Sequence, residues 1–138
     1  MNIPNQSIFY PLTKNSLPII EHLVKAYIFW GECLVHFTKL LRYTLGTKID
    51  WAFLEATEMI FAAKSADKQT KLPYLERAAK KLDLLKFLLR IAWETKSLDN
   101  KKYITISEYL NEIGRQLGGW QRKLIKETPA DKTGARRQ

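Results

Sequence analysis

A single cysteine, Cys33, is all the thiol chemistry this 138-residue chain offers. One thiol excludes an internal disulfide framework and suits a reducing compartment. Cys33 falls within an apolar helical run, which favours a buried, inert thiol over a nucleophile. Histidine is almost as scarce. His22 and His36 stand far apart, with no cysteine or carboxylate at ligand spacing beside them, so they do not describe a metal centre. Glu21, Glu32, Glu55 and Glu58 bring a di-iron bundle to mind, but the Glu-x-x-His pairs of such sites are missing. Gly114, Gly118 and Gly119 do not follow a strand, and no Lys-Ser/Thr ends their run, which removes a phosphate-binding loop. These gaps predict a protein that is not an enzyme and carries neither cofactor nor metal.

Long apolar runs are lacking too. No uninterrupted stretch reaches the ~20 residues that span a bilayer, and residues 1–14 show no basic region followed by an apolar one. The expectation is a soluble, cytoplasmic protein with no membrane partner. Acidic residues are also in deficit: 14 Asp and Glu face 23 Lys and Arg, leaving a net charge of +9. In so small a domain, that excess favours a polyanionic partner, nucleic acid first. The plainer use of such charge is solubility.

What the chain does have is helical periodicity. Residues 1–15, with Pro4, Pro11 and the group Phe9-Tyr10-Pro11-Leu12, read as an extended arm carrying an apolar anchor. A bundle of residues 16–127 follows, then a disordered basic tail over residues 128–138. Ser16 is the expected cap of a first helix, with Pro18 in its first turn, running to about Leu45 and stopped by Gly46. Its main stripe is Ile20, Val24, Tyr27, Gly31, Leu34, Thr38, Leu41 and Leu45, flanked by Leu23, Trp30 and Phe37. A second helix from about Ile49 to Ala66 is apolar nearly all round, through Trp51, Phe53, Leu54, Ile60 and Phe61. One protomer of four helices cannot cover such an element, which argues for copies of the chain as the cover. After a polar turn at Asp67 to Lys71, Pro73 opens a third helix ending near Thr95. Its seam is Leu75, Ala78, Leu82, Leu85, Leu89 and Ala92. A polar loop from Lys96 to Tyr103 precedes a capping box, Thr105 with Glu108, and a fourth helix to about Glu127. The fold class is therefore all-α: an antiparallel, up-down four-helix bundle that assembles into an oligomer.

Within the fourth helix, Ile106, Leu110, Ile113, Leu117, Trp120 and Leu124 keep the period of one buried face. Three glycines interrupt it, each costing about 1 kcal/mol relative to alanine. Such a cost is tolerated mainly where a backbone or ligand comes close.

Three strings, Arg42-Tyr43-Thr44-Leu45-Gly46, Leu84-Leu85-Lys86-Phe87-Leu88-Leu89-Arg90 and Ile113 to Trp120, occur in order at spacings that suit one bundle. Together they make residues from about Leu17 to Ile125 resemble the Avd family, the accessory variability determinants of diversity-generating retroelements. The four-helix proteins of ribosomal-RNA intervening sequences look similar. The resemblance implies a barrel-like homopentameric ring with a basic surface, bound to a reverse transcriptase and its template RNA or cDNA during mutagenic reverse transcription. Thr38 stands where the family often has proline, and the arm ahead of Leu17 is long.

The cations that would serve this role fall into groups. Lys86 and Arg90, one turn apart, match basic positions of the family, and Asp83 is their local counter-charge. Arg77, Lys80 and Lys81 crowd the start of the third helix, where cations oppose the dipole. Arg115, Arg122 and Lys123 lie along the fourth helix, and Lys39 and Arg42, with Lys48, near the end of the first. Each has a bland reading as a solvated helix face. For Arg115 the structural reading is a pair with Asp50, Glu55 or Glu58 across a subunit boundary. Trp30, Trp51, Trp93 and Trp120 are expected in core or interface packing rather than base stacking. The competing function is a protein-interaction scaffold whose charge serves only solubility.

Overall fold

A computed structural model describes residues 17–127, and the expected N-terminal arm and basic tail lie outside them. Among the described residues there are four long helices, one helical turn and no strand. We label them α1 (Pro18–Leu34), α2 (Lys39–Arg42), α3 (Leu45–Ser65), α4 (Lys68–Glu94) and α5 (Asn100–Lys126). None of these helices is long and apolar enough to cross a membrane.

Cross-helix contacts fix an antiparallel, up-down order. Tyr27 and Trp30 of α1 meet Asp50 of α3, and Glu55 of α3 meets Lys81 of α4. The Trp93 and Tyr103 rings stack between α4 and α5, 4.9 Å apart and 8° from parallel. Phe29 of α1 packs on Tyr109 of α5, which closes the bundle. One face of each long helix thus contributes to a shared core, at the spacing a 3.6-residue repeat requires.

The seams predicted for the last two long helices are the ones buried: Leu75, Ala78, Leu82, Leu85, Leu89 and Ala92 on α4, and Ile106, Leu110, Ile113, Leu117 and Leu124 on α5. The first helix differs from expectation. Its core face is Ile19, Leu23, Ala26, Trp30 and Cys33, continued by Phe37, so the flanking stripe is the buried one. Val24 and Gly31, from the expected main stripe, face outward. Trp30 is wholly buried, edge-on to Phe37 at 5.5 Å and stacked on Phe53 at 6.5 Å. Truncating such a residue to alanine costs about 3–5 kcal/mol.

The boundaries also differ. The first helix ends at Leu34, not Leu45. Thr38 adopts extended backbone, and its side chain accepts from the Leu41 N–H, so a cap starts α2 where the sequence suggests unbroken helix. Gly46 is no stop: it lies in the first turn of α3, where a Cβ would meet Leu34 Cδ1 at 2.7 Å and the Leu41 carbonyl at 3.3 Å. Its role is to let the corner close. Leu17, not Ser16, occupies the cap position of α1 and makes no side-chain cap bond.

Asp67 caps α4 through the Thr70 N–H, so the expected Asp67–Lys71 turn is the first turn of a helix with Pro73 as its sixth residue. Likewise Asp99, not Thr105, caps α5 by accepting from the Lys102 N–H at 2.8 Å. Both carboxyls sit below their ordinary range. For Asp67 the main cause is the Thr70 hydroxyl, and for Asp99 it is the Lys102 backbone N–H.

Candidate nucleic-acid interface

Helices α4 and α5 run side by side, and a groove of about 310 Å³ lies between them, lined by Asp83 and Lys86 on one side and by Asn111, Gly114 and Arg115 on the other. Gly114 lies where the two sides meet. The Lys86 Nζ sits 3.6 Å from the position a Cβ would take there. That is ordinary van der Waals separation, so a methyl there would be accommodated. At Gly118 and Gly119 the neighbour is the guanidinium of Arg122 from the same helix, 3.3 and 3.8 Å from the hypothetical Cβ atoms. Two long cations thus lie along α5 over its glycine positions, with their charged ends at the surface.

Four ion pairs form among the described residues, and they sort the candidate cations. Lys81 reaches Glu55 of α3 at 2.7 Å, and Arg90 reaches Glu94 one turn on at 3.3 Å. Arg115 clamps Glu112 through both Nε and Nη2, and Gln116 donates to the same carboxylate at 2.7 Å. Those hydrogen bonds, Arg115 first, hold the Glu112 carboxyl at about 2. Within this protomer, Arg115 therefore pairs inside its own helix. Asp50 is engaged elsewhere: one of its oxygens accepts from Tyr27 Oη at 2.8 Å and Trp30 Nε1 at 3.1 Å.

Two more candidates have structural partners. The Arg42 guanidinium donates to the Val35 and Phe37 carbonyls, closing the end of α1. Arg77 lies over the Tyr74 ring, 5.1 Å from its centre. Lys39, Lys80, Lys86, Arg122 and Lys123 enter none of the four pairs. The candidates are not one patch. Lys86 and Arg115 share the α4–α5 groove, with Arg122 two turns beyond Arg115 on α5. Lys39, Arg42 and Lys48 sit at the end where α1 meets α3, whereas Lys123 is at the other.

Lys68 and Lys71 do not stand out in the sequence because Asp67 to Lys71 reads as a turn. The cap signal, Asp67 ahead of Thr70, could have placed them on a helix. Both line a cavity with Lys123, and Lys71 Nζ also donates to the Ala63 and Lys64 carbonyls at 2.8 and 3.0 Å, finishing α3.

The tryptophans divide. Trp30 is core, Trp120 is half-buried, and Trp51 is 60% exposed. With Leu54 and Phe61 of α3, and Leu84 and Phe87 of α4, Trp51 leaves uncovered apolar surface on this protomer. Cys33 is buried, and burial pushes its thiol up to about 11, well away from a reactive thiolate. Among the described residues no three His, Cys, Asp or Glu side chains gather as a metal site would need.

No curated protein and no solved structure gives a match to this chain. A family model described as bAvd-like matches residues 17–124, which takes in all four long helices almost to the end of α5. By that match over most of its length, the four-helix chain belongs to the bAvd-like family.

Proposed function

We propose that this bAvd-like protein is a non-catalytic accessory factor of a diversity-generating retroelement, binding the element's reverse transcriptase and its template RNA or cDNA. Family membership over residues 17–124 supports the retroelement role. The observation that carries the nucleic-acid part is the pair of cations, Lys86 and Arg122, laid over glycine positions of α5 and in no ion pair among the described residues. Lysine and arginine ends held in that way suit phosphates, which position a strand without reading its bases. Affinity then depends steeply on salt, because each neutralised phosphate releases counterions.

In this reading several copies close into a ring of five. Uncovered Trp51, Phe61 and Phe87 supply the apolar surface for it. A ring multiplies a modest charge per protomer into avidity for a long polyanion.

The test is retention of a single-stranded template RNA across a salt series. Lys86→Glu with Arg122→Glu is expected to weaken binding at least tenfold and to flatten the salt dependence by about two phosphate contacts per protomer, with helicity unchanged by circular dichroism. Unchanged retention overturns the interface. The exposed apolar surface also favours a plain protein scaffold. That reading expects assembly and polymerase association with no salt-dependent RNA retention by the unmodified protein.

A further inference from the structure

At the end of the bundle where α1 begins and α5 finishes, a cavity of about 570 Å³ opens to the surface. Leu17, Ile19, Trp120 and Leu124 wall it, while Lys68 and Lys123 stand at its margin. Trp120 is half-buried there, so the last apolar position of the α5 seam but one is not finished by the bundle itself. Elsewhere the same seam is sealed: Ile106, Leu110 and Ile113 are wholly buried.

We propose that this groove is filled by the chain's own residues 8–12, Ile8-Phe9-Tyr10-Pro11-Leu12, folding back over the start of α1. Three observations carry the assignment. First, Leu17 is both the residue from which the preceding chain departs and part of the groove wall, so the occupant is tethered at the site it fills. Second, the tether suits the distance: from Leu12 to Leu17 an extended chain reaches about 17 Å, enough to cross one helix diameter of about 10 Å. Third, the composition matches. Residues 8–12 carry no charge, whereas residues 13–16 contain Lys14. Seating them covers the half-buried Leu17 and Trp120 and leaves Lys68 and Lys123 facing water, available to a polyanion. An acidic partner segment would instead neutralise those lysines. Tethering raises the effective concentration of the segment to the millimolar range, so even a weak apolar contact is substantially occupied.

This inference stands apart from the retroelement reading, and its test needs neither RNA nor polymerase. Hydrogen exchange is followed on the full chain and on Phe9→Asp/Tyr10→Asp, with circular dichroism to check that both are equally helical. In the double variant, amides of residues 119–126 and of the first turns of α1 are expected to exchange at least tenfold faster, and those at the centre of α4 to stay unchanged. A synthetic peptide of residues 5–14, added to the variant, restores the protection. Equal exchange in the two proteins overturns the proposal and leaves the groove to another occupant. Protection in the full chain that disappears on dilution also overturns it, because the segment then comes from a second copy.

Discussion

Tyr27 of α1 donates its phenol to Asp50 of α3 at 2.8 Å, and the same carboxylate oxygen accepts the Trp30 indole N–H at 3.1 Å. One acceptor therefore fastens the two helices at an aromatic layer of the core, beside Phe53. Asp50→Ala strands two part-buried donors, each costing about 1–3 kcal/mol. Urea unfolding is expected to show a loss of 2 kcal/mol or more by that principle, whereas Tyr27→Phe loses about half as much.

The same contact sets an alkaline limit. Burial, then the hydrogen bond and charge of Asp50, push the Tyr27 phenol from 10.0 up to about 12. A raised folded value means that the contribution is whole below pH 10 and drains away as pH rises from 10 to 12. Absorbance at 295 nm during a base titration should show one tyrosine ionising after the others, and Phe in its place removes that last step.

Lys96 closes α4 with a φ of 69°, the left-handed conformation that glycine adopts without penalty. The Ser97 N–H donates to the Ala92 carbonyl at 2.8 Å and the Lys96 N–H to Trp93 at 3.0 Å, the paired bonds of a helix end in which glycine is the usual residue. Lys96→Gly is expected to stabilise the protein by about 1 kcal/mol, measured as a higher urea midpoint with an unchanged slope.

Two glycines predict opposite signs. Nothing lies within 4 Å of a Cβ at Gly31, on an exposed face of α1, so Gly31→Ala should gain about 0.5–1 kcal/mol. Gly46→Ala places its methyl 2.7 Å from Leu34 Cδ1 and 3.3 Å from the Leu41 carbonyl oxygen. Forcing that corner apart costs about 1–3 kcal/mol. Thermal melts of the two variants should move in opposite directions.

In acid, the Glu112 clamp governs a different window. Arg115 and Gln116 lower its carboxyl from 4.5 to about 2. The contribution of a depressed carboxyl is present above pH 4.5 and is lost as pH falls from 4.5 to 2. Glu112→Gln should flatten the fall of the urea midpoint across that interval.

Where one helix face is apolar and the other polar, sequence and structure agree. Leu75 to Ala92 on α4 and Ile106 to Leu124 on α5 are such faces, and every expected seam residue but the half-buried Trp120 is in the core. On α1 both faces are apolar, since Val24 and Ile28 are as oily as Leu23 and Trp30, and periodicity alone cannot choose between them. The break after Leu34 is followed by a cap from the Thr38 hydroxyl, a bond that exists only once the chain has turned. For the same reason the Lys86–Gly114 approach was not legible: it follows from the register of α4 against α5, which no local spacing encodes. The cations themselves were legible as charges, but which of them spend that charge on Glu55, Glu94 or Glu112 was not.

Arg42 shows what such spending does to variation. With its guanidinium on the Val35 and Phe37 carbonyls, it satisfies the chain ends that the departing α1 leaves open. The shape of the bend is then held from outside the segment it shapes. Outward-facing Val35, His36 and Leu40 are free to drift among relatives without unmaking the bend. Lysine at position 42, a point charge without the planar fork, would not replace arginine there.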